Sequence, residues 1–199
     1  MEQQYKNSIS YKTSAWEDNR SFAVELVKTF NPSVIVDLGV DYGYSSFCFA
    51  YPKIGHVYGL DWFKGDGVDW KTETTEIDNL PVVNQKYQEL KENFGIDNIT
   101  FIKGDFNETC KTWDKEIDIL HVDGLHYYDN VKEDFENWIK FCKKDSIILF
   151  HDTLSFPDDV GRFFNELDGY KFNIDIRYGL GIYTKSEDVF NKIKTILTK

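Results

Sequence analysis

Residues 117–153, IDILHVDGLHYYDNVKEDFENWIKFCKKDSIILFHDT, read as strand, loop, helix and strand. IDILHVD (117–123) and SIILFHD (146–152) are short apolar runs that end in polar residues. Apolar residues on consecutive positions imply strands buried on both faces, as in a parallel sheet. Between them, YYDNVKEDFENWIKFCKK (127–144) carries Val131, Phe135, Trp138, Ile139 and Cys142 at helical spacing, a stripe that should face the sheet. A strand, a crossover helix and a second parallel strand form a right-handed unit.

Outward from this unit the pattern repeats. VIVDLG (34–39), HVYGLD (56–61) and NITFIKGD (98–105) read as strands. WEDNRSFAVELVKTF (16–30), SSFCFAYPK (45–53) and PVVNQKYQELKENFG (81–95) read as the helices between them. The expected fold is therefore α/β, a doubly wound and mostly parallel sheet. The tail breaks the alternation. YKFNIDIRYGLGIYTK (170–185) reads as two strands joined around Tyr178-Gly179, an antiparallel C-terminal hairpin. WFKGDGVDWKTETTEIDNL (62–80) is the one long irregular stretch and a candidate lid.

The 199 residues suit one domain, and 41% hydrophobic with 29% charged residues is a globular balance. A net charge of −11 disfavours nucleic acid or an anionic membrane as partner. No apolar run approaches the ~20 residues of a membrane span, and MEQQYKNSIS lacks a signal peptide's apolar core. Cys48, Cys110 and Cys142 are odd in number and far apart. They suggest no disulfide or zinc framework, and a reducing, cytoplasmic compartment is expected.

Four clusters could carry chemistry. In Asp37-Leu-Gly39-Val-Asp-Tyr-Gly43-Tyr44-Ser45, a strand runs through a tight turn into a helix. The glycines would let the backbone approach a ligand, and the helix N-terminus offers free N–H groups. The G-x-x-x-G spacing is not the dinucleotide G-x-G-x-x-G, and Asp37 would repel a pyrophosphate but accept bonds from an ammonium group. Asp61, ending the second strand, could accept both hydroxyls of a ribose. Trp62 follows it. Asp105-Phe106, after the third strand, could hold an adenine by hydrogen bond and stacking. The fourth cluster joins Asp123 and His126 to His151 and Asp152. Asp123 and Asp152 could share Mg²⁺, and His151 would add a nitrogen ligand for other divalent cations. His126 could take a proton from a substrate hydroxyl. Each cluster also has a structural reading, and His121 reads as a buried, hydrogen-bonded strand residue.

On VIVDLGVDYGYSS (34–46) and residues 117–153, with their acid-Gly-x-His-x-Tyr turn and terminal His-Asp, the chain resembles the class I S-adenosylmethionine-dependent methyltransferases. More narrowly, it is similar to small bacterial O-methyltransferases grouped with macrocin-type and cephalosporin hydroxylase-like proteins. The resemblance implies a seven-stranded sheet with its last strand antiparallel, and S-adenosylmethionine held across Asp37, Gly39, Gly43, Ser45, Asp61 and Asp105. It also implies a cation at Asp123, His151 and Asp152, with His126 as base, although His151 stands where metal-dependent relatives tend to carry an acid. Residues 1–30 then form an N-terminal helical, substrate-side segment and 31–199 the methyltransferase domain. Tyr5, Tyr11 and Trp16 of the first segment, with Trp62, Phe63 and Trp70, are candidate covering aromatics. The acceptor would be a hydroxyl on a sugar or other small molecule, and the chain could form a homo-oligomer. A cofactor-binding module without catalysis and a metal-dependent, hydroxylase-like oxidoreductase are the competing readings.

Overall fold

Consecutive residues of the central strands face opposite layers, as their unbroken apolar runs require. In the computed structural model, which describes residues 1–65 and 78–197, the strands are β1 (Val34–Leu38), β2 (His56–Asp61), β3 (Ile99–Lys103), β4 (Ile117–Val122), β5 (Cys142–His151), β6 (Tyr170–Ile174) and β7 (Leu180–Thr184). Ile35, Ile119, Ile147 and Leu149 enter one core, while Val36, Leu120, Ile148 and Phe150 enter the other. The helices are α1 (Glu2–Ile9), α2 (Arg20–Phe30), α3 (Tyr44–Ala50), α4 (Leu80–Phe94), α5 (Phe106–Thr109), α6 (Tyr128–Trp138), α7 (Arg162–Glu166) and α8 (Glu187–Leu197). The first core is closed by α1 to α4 and α8, the second by α6 and α7.

The sheet runs β3-β2-β1-β4-β5-β7-β6. All pairs from β3 to β5 are parallel, and β7 lies antiparallel to both β5 and β6. This is the expected seven-stranded, mostly parallel sheet with its C-terminal hairpin. Strand order reverses between β1 and β4, so the loops leaving them diverge, and open α/β sheets bind ligands at such a point. The two loops still touch at Gly39, whose φ is +96° and where a Cβ would stand 1.9 Å from the carbonyl oxygen of Asp123. The close approach that requires glycine is therefore to the chain's own backbone.

Three expectations change. The helix over 127–144 ends at Trp138, passes through a 3-10 turn at Ile139–Phe141 and gives way to β5 at Cys142. Cys142 continues the helical spacing by number, but it pairs with Ile117 as a strand residue. Phe63, expected over the site, is fully buried against Phe101. Tyr5 is likewise a core residue, its hydroxyl donating to the Phe47 carbonyl at 2.7 Å. Of the candidate lid 62–80, residues 66–77, including Trp70, lie outside the described residues. Among the described residues no helix is long and apolar enough to cross a membrane.

Candidate active site

The carboxyl ends of β1, β2, β4 and β5 open into a cavity of about 790 Å³. Gly39, Tyr44, Ser45, Asp61, Trp62, Asp105, Phe106, Asp123, His126, His151 and Asp152 line it. Ile9 and residues 11–16 of the N-terminal segment cover one side. Tyr11 ties this cover to the turn after β1, its hydroxyl donating to the Tyr42 carbonyl at 2.7 Å.

Asp37 is not part of the lining. Side chains alternate along a strand, so Asp37 shares the face of Ile35 and points into the first core, opposite His121 of β4. It is fully buried and accepts bonds from Ser45 Oγ at 2.7 Å, from Ser46 Oγ and from His121 Nδ1 at 2.6 Å. Trp16 Nε1 donates to His121 Nε2 at 3.0 Å, which fixes the Nδ1–H tautomer. The expected ammonium acceptor is instead the centre of a buried network running from the N-terminal segment to the start of α3. Gly43 caps α3 at φ +88°.

The other strand-end acids do reach the rim. Asp61 Oδ2 accepts the N–H groups of Val40 and Asp41 at 2.8 and 2.9 Å, and Oδ1 accepts that of Phe63. Burial raises its pKa while these donors pull it back. Asp61 thus shapes the turn after β1, and a carboxylate has lone pairs to spare beyond three bonds. Asp105 is exposed and caps α5, Oδ1 accepting from Asn107 and Glu108 at 2.8 and 3.1 Å. Trp62 is 42% exposed at the mouth.

The densest chemistry lies at the ends of β4 and β5. One ligand atom each from Asp123, His126 and Asp152 falls within a sphere of contacts no wider than 4.8 Å. His126 Nε2 stands 3.0 Å from Asp152 Oδ2 and 3.5 Å from Asp123 Oδ1, without a well-formed hydrogen bond to either. His151 Nδ1 lies 3.1 and 3.4 Å from the same two carboxylates, and its buried Nε2 has no hydrogen-bond partner among the described residues. The His126 ring stacks on Phe156 at 4.4 Å and 6°. Asp152 takes φ +63°, a conformation few non-glycine residues adopt. Burial works to lower both imidazole pKa values, but the two carboxylates raise His126 to about 9 and His151 to about 10. Burial would raise Asp123, yet His151 and His126 hold it well below the usual range, and Asp152 is lowered too.

Asp134 was not anticipated. It lines the cavity from α6 and is 5% exposed, with its pKa pushed up to about 8 by burial and then by Glu133 and Asp105. The signal was present: Val131, Asp134, Phe135 and Trp138 share one helix face, so the acid interrupts an apolar stripe. Asp159 and Tyr178 also join the lining, and nothing in their local sequence marks them.

A family profile described as a methyltransferase domain matches residues 36–153. The y4gI protein of Sinorhizobium fredii, itself uncharacterized, is 31% identical over 179 residues, covering 85% of this chain. The chain spans only 19% of that relative's length. Among solved structures, a Podospora anserina methyltransferase bound to S-adenosylhomocysteine superposes with a TM-score of 0.66 at 13% identity, covering 93% of this chain and 87% of that one. An O-methyltransferase of Bacillus cereus in complex with S-adenosylhomocysteine gives 0.62 at 12% identity, over 90% and 86%. At such identities the likeness speaks to the fold.

Proposed function

The chain belongs to the methyltransferase-domain family, and on that premise we propose that it transfers the methyl group of S-adenosylmethionine to a hydroxyl of a neutral or cationic small molecule, sugars included. The observation that carries this reading is the convergence of Asp61, Asp105, Asp123, His126 and Asp152 on one cavity at the strand ends. The lining's charge supports the choice of ligands. It holds seven acids, Asp41, Asp61, Asp105, Asp123, Asp134, Asp152 and Asp159, of which Asp134 is pushed toward its neutral form, against Lys12 and the two histidines. That field suits a ligand bearing a sulfonium and an ammonium, and it disfavours acceptors rich in phosphate.

S-adenosylmethionine, when bound, supplies a methyl group already activated on sulfur. Asp61 is suited to accept ribose hydroxyls, with the backbone around Gly39 and Gly43 beside it. Holding donor and acceptor in line contributes on the order of 7–11 kcal/mol to such reactions. The cover formed by Ile9 and residues 11–16 limits water at the reacting centre. His126, 34% exposed in its side chain against 2% for His151, is the imidazole on the open side of the cluster and the proposed base, although its Nε2 is itself buried between Asp123 and Asp152. Asp123 and Asp152 would hold a divalent cation through hard oxygens, with an imidazole nitrogen beside them: that of His126 groups with the two carboxylates within 4.8 Å, and His151 Nδ1 lies 3.1 and 3.4 Å from the same pair. A cation there supplies positive charge that acidifies a bound hydroxyl and competes with both imidazoles for the carboxylates.

Calorimetry with S-adenosylmethionine and S-adenosylhomocysteine, followed by transfer of labelled methyl to a panel of sugars and phenols with and without chelator, tests the proposal. Micromolar binding and label in a neutral acceptor are expected. No binding of either nucleoside would end it.

A further inference from the structure

Beyond His126 the cavity wall is built by the loop that leaves β5. The Phe156 N–H donates to the Asp152 carbonyl at 3.0 Å, and Pro157–Gly161 then makes a single π-helical turn. Such turns are rare and recur at functional sites. Gly161 lets this one close on the strand end, since a Cβ there would stand 2.5 Å from the Thr153 carbonyl oxygen. The loop places Phe156 and Asp159 in the cavity lining. The Phe156 ring covers one face of the His126 imidazole and is still 39% exposed, and Tyr127 of the same lining is exposed too. Asp159 is half-buried. Its Oδ1 accepts the Tyr128 N–H at 3.0 Å, the one hydrogen bond of its side chain among the described residues. No cation of those residues pairs with it, although Arg162 follows three positions later. That guanidinium lies 3.7 Å over the Tyr128 ring and is shared with Glu166. Open aromatic rings and a carboxylate without a counter-ion, set in one wall, make a surface suited to an ammonium group.

Resting on the methyltransferase reading, we propose that Asp159 is a specificity residue for the methyl acceptor: it binds a protonated amine carried by the hydroxyl-bearing molecule, against the rings of Phe156 and Tyr127. The substrate class is then an amine-bearing alcohol or phenol, such as an amino sugar. Capping of α6 asks only for the Oδ1 bond, which an amide oxygen also makes, so the charge of Asp159 is what remains for a ligand.

Saturation with S-adenosylhomocysteine fills the cofactor's own place, so a second ligand then reports on what is left of the cavity. Two series that vary charge on a fixed ring serve as probes in calorimetry: glucosamine, glucose and glucuronate, and dopamine, methylcatechol and dihydroxyphenylacetate. In wild-type protein the ammonium member of at least one series should bind about tenfold more tightly than its neutral counterpart, the lower end for a hydrogen bond to a charged group. The carboxylate member should bind most weakly. Asp159→Asn should keep the melting temperature, because its amide oxygen can still accept the Tyr128 N–H, and should bring the ammonium and neutral members within about twofold of each other. Asp41→Asn removes one charge from the same lining, at the turn after β1, and should leave the preference in place. No preference for the ammonium member in either series overturns the proposal. So does a preference that survives Asp159→Asn, or one that Asp41→Asn abolishes as fully. Should Asp159→Asn not fold, the wild-type order and the Asp41→Asn result decide alone. Failure of wild-type protein to bind S-adenosylhomocysteine would instead remove the methyltransferase reading beneath it.

Discussion

The imidazole of His126 is held by two carboxylates and one ring, and each contact carries a consequence. Its pKa of about 9 makes it a cation at neutral pH until something relieves the pull of Asp123 and Asp152. His151, raised to about 10 by the same pair, behaves alike. Both must lose protons before one can ligate a metal and the other accept a proton. Cation affinity should therefore rise with pH, up to about tenfold per pH unit for each proton released. Mn²⁺ calorimetry between pH 6.5 and 8.5 checks this, and a flat affinity would remove the coupling. The sign for folding is opposite. Each raised imidazole pKa adds stability that is complete below the ordinary 6.5 and lost as pH climbs through about 9 to 10, so the metal-free melting point should fall across that window. For catalysis, His126→Ala should slow turnover by about 10²–10⁴-fold, the usual worth of a positioned base. Its affinity for S-adenosylhomocysteine should stay within twofold, and an unimpaired rate would assign the proton to another group.

Between elements, the decisive link is the chain of bonds from Trp16 through His121 to Asp37, which joins the N-terminal segment to β4, β1 and the start of α3. Trp16→Phe keeps an aromatic ring against Phe49 but deletes the N–H. It leaves a buried imidazole nitrogen without a partner, at a cost of about 1–3 kcal/mol. A matching loss in denaturant unfolding is expected, with weaker binding of S-adenosylhomocysteine because residues 11–16 cover its cavity. Unchanged stability would show that the network closes without the indole. The sequence makes the strands and their acidic ends readable, because a two-sided parallel sheet writes itself as unbroken apolar runs. It hides where a strand-end side chain points. Asp37 and Asp61 look equivalent in the chain, yet only Asp61 sits past the last core layer. Helix ends are hidden for a related reason: Ile139 and Cys142 fit the 3.6 period of α6 by number, although the backbone has turned into β5. The short α5 and α7 carry too few residues to show a period at all, while α8 bears a stripe at Val189, Ile193 and Ile196 that a reading centred on strands does not use.

At the scale of the molecule, a chain of net charge −11 gathers seven of its acids around the ligand cavity. The acids around this cavity set up a field that no single pair describes, and its source is the fold: strands laid side by side bring acids distant in sequence to one ledge. Such a field distinguishes ligands by charge before any contact is made. S-adenosylmethionine and S-adenosylhomocysteine differ by a methyl group and the positive charge on sulfur, so their relative affinity reads the field directly. Salt screens it, with a Debye length of about 10 Å at 0.1 M falling to about 3 Å at 1 M. Raising ionic strength should weaken S-adenosylmethionine more than S-adenosylhomocysteine, shifting the ratio of their dissociation constants several-fold toward the neutral-sulfur product across that range. A competing effect, stronger apolar burial at high salt, acts on both ligands nearly equally and cancels in the ratio. Replacing Asp159, which lines the cavity outside the Asp123–Asp152 pair, with Asn should flatten the slope without abolishing it, because only one of the cavity's several charges is removed. Parallel salt dependences for the two nucleosides in the wild-type protein would mean that short-range contacts, and not the assembled charge, govern which ligand the cavity prefers.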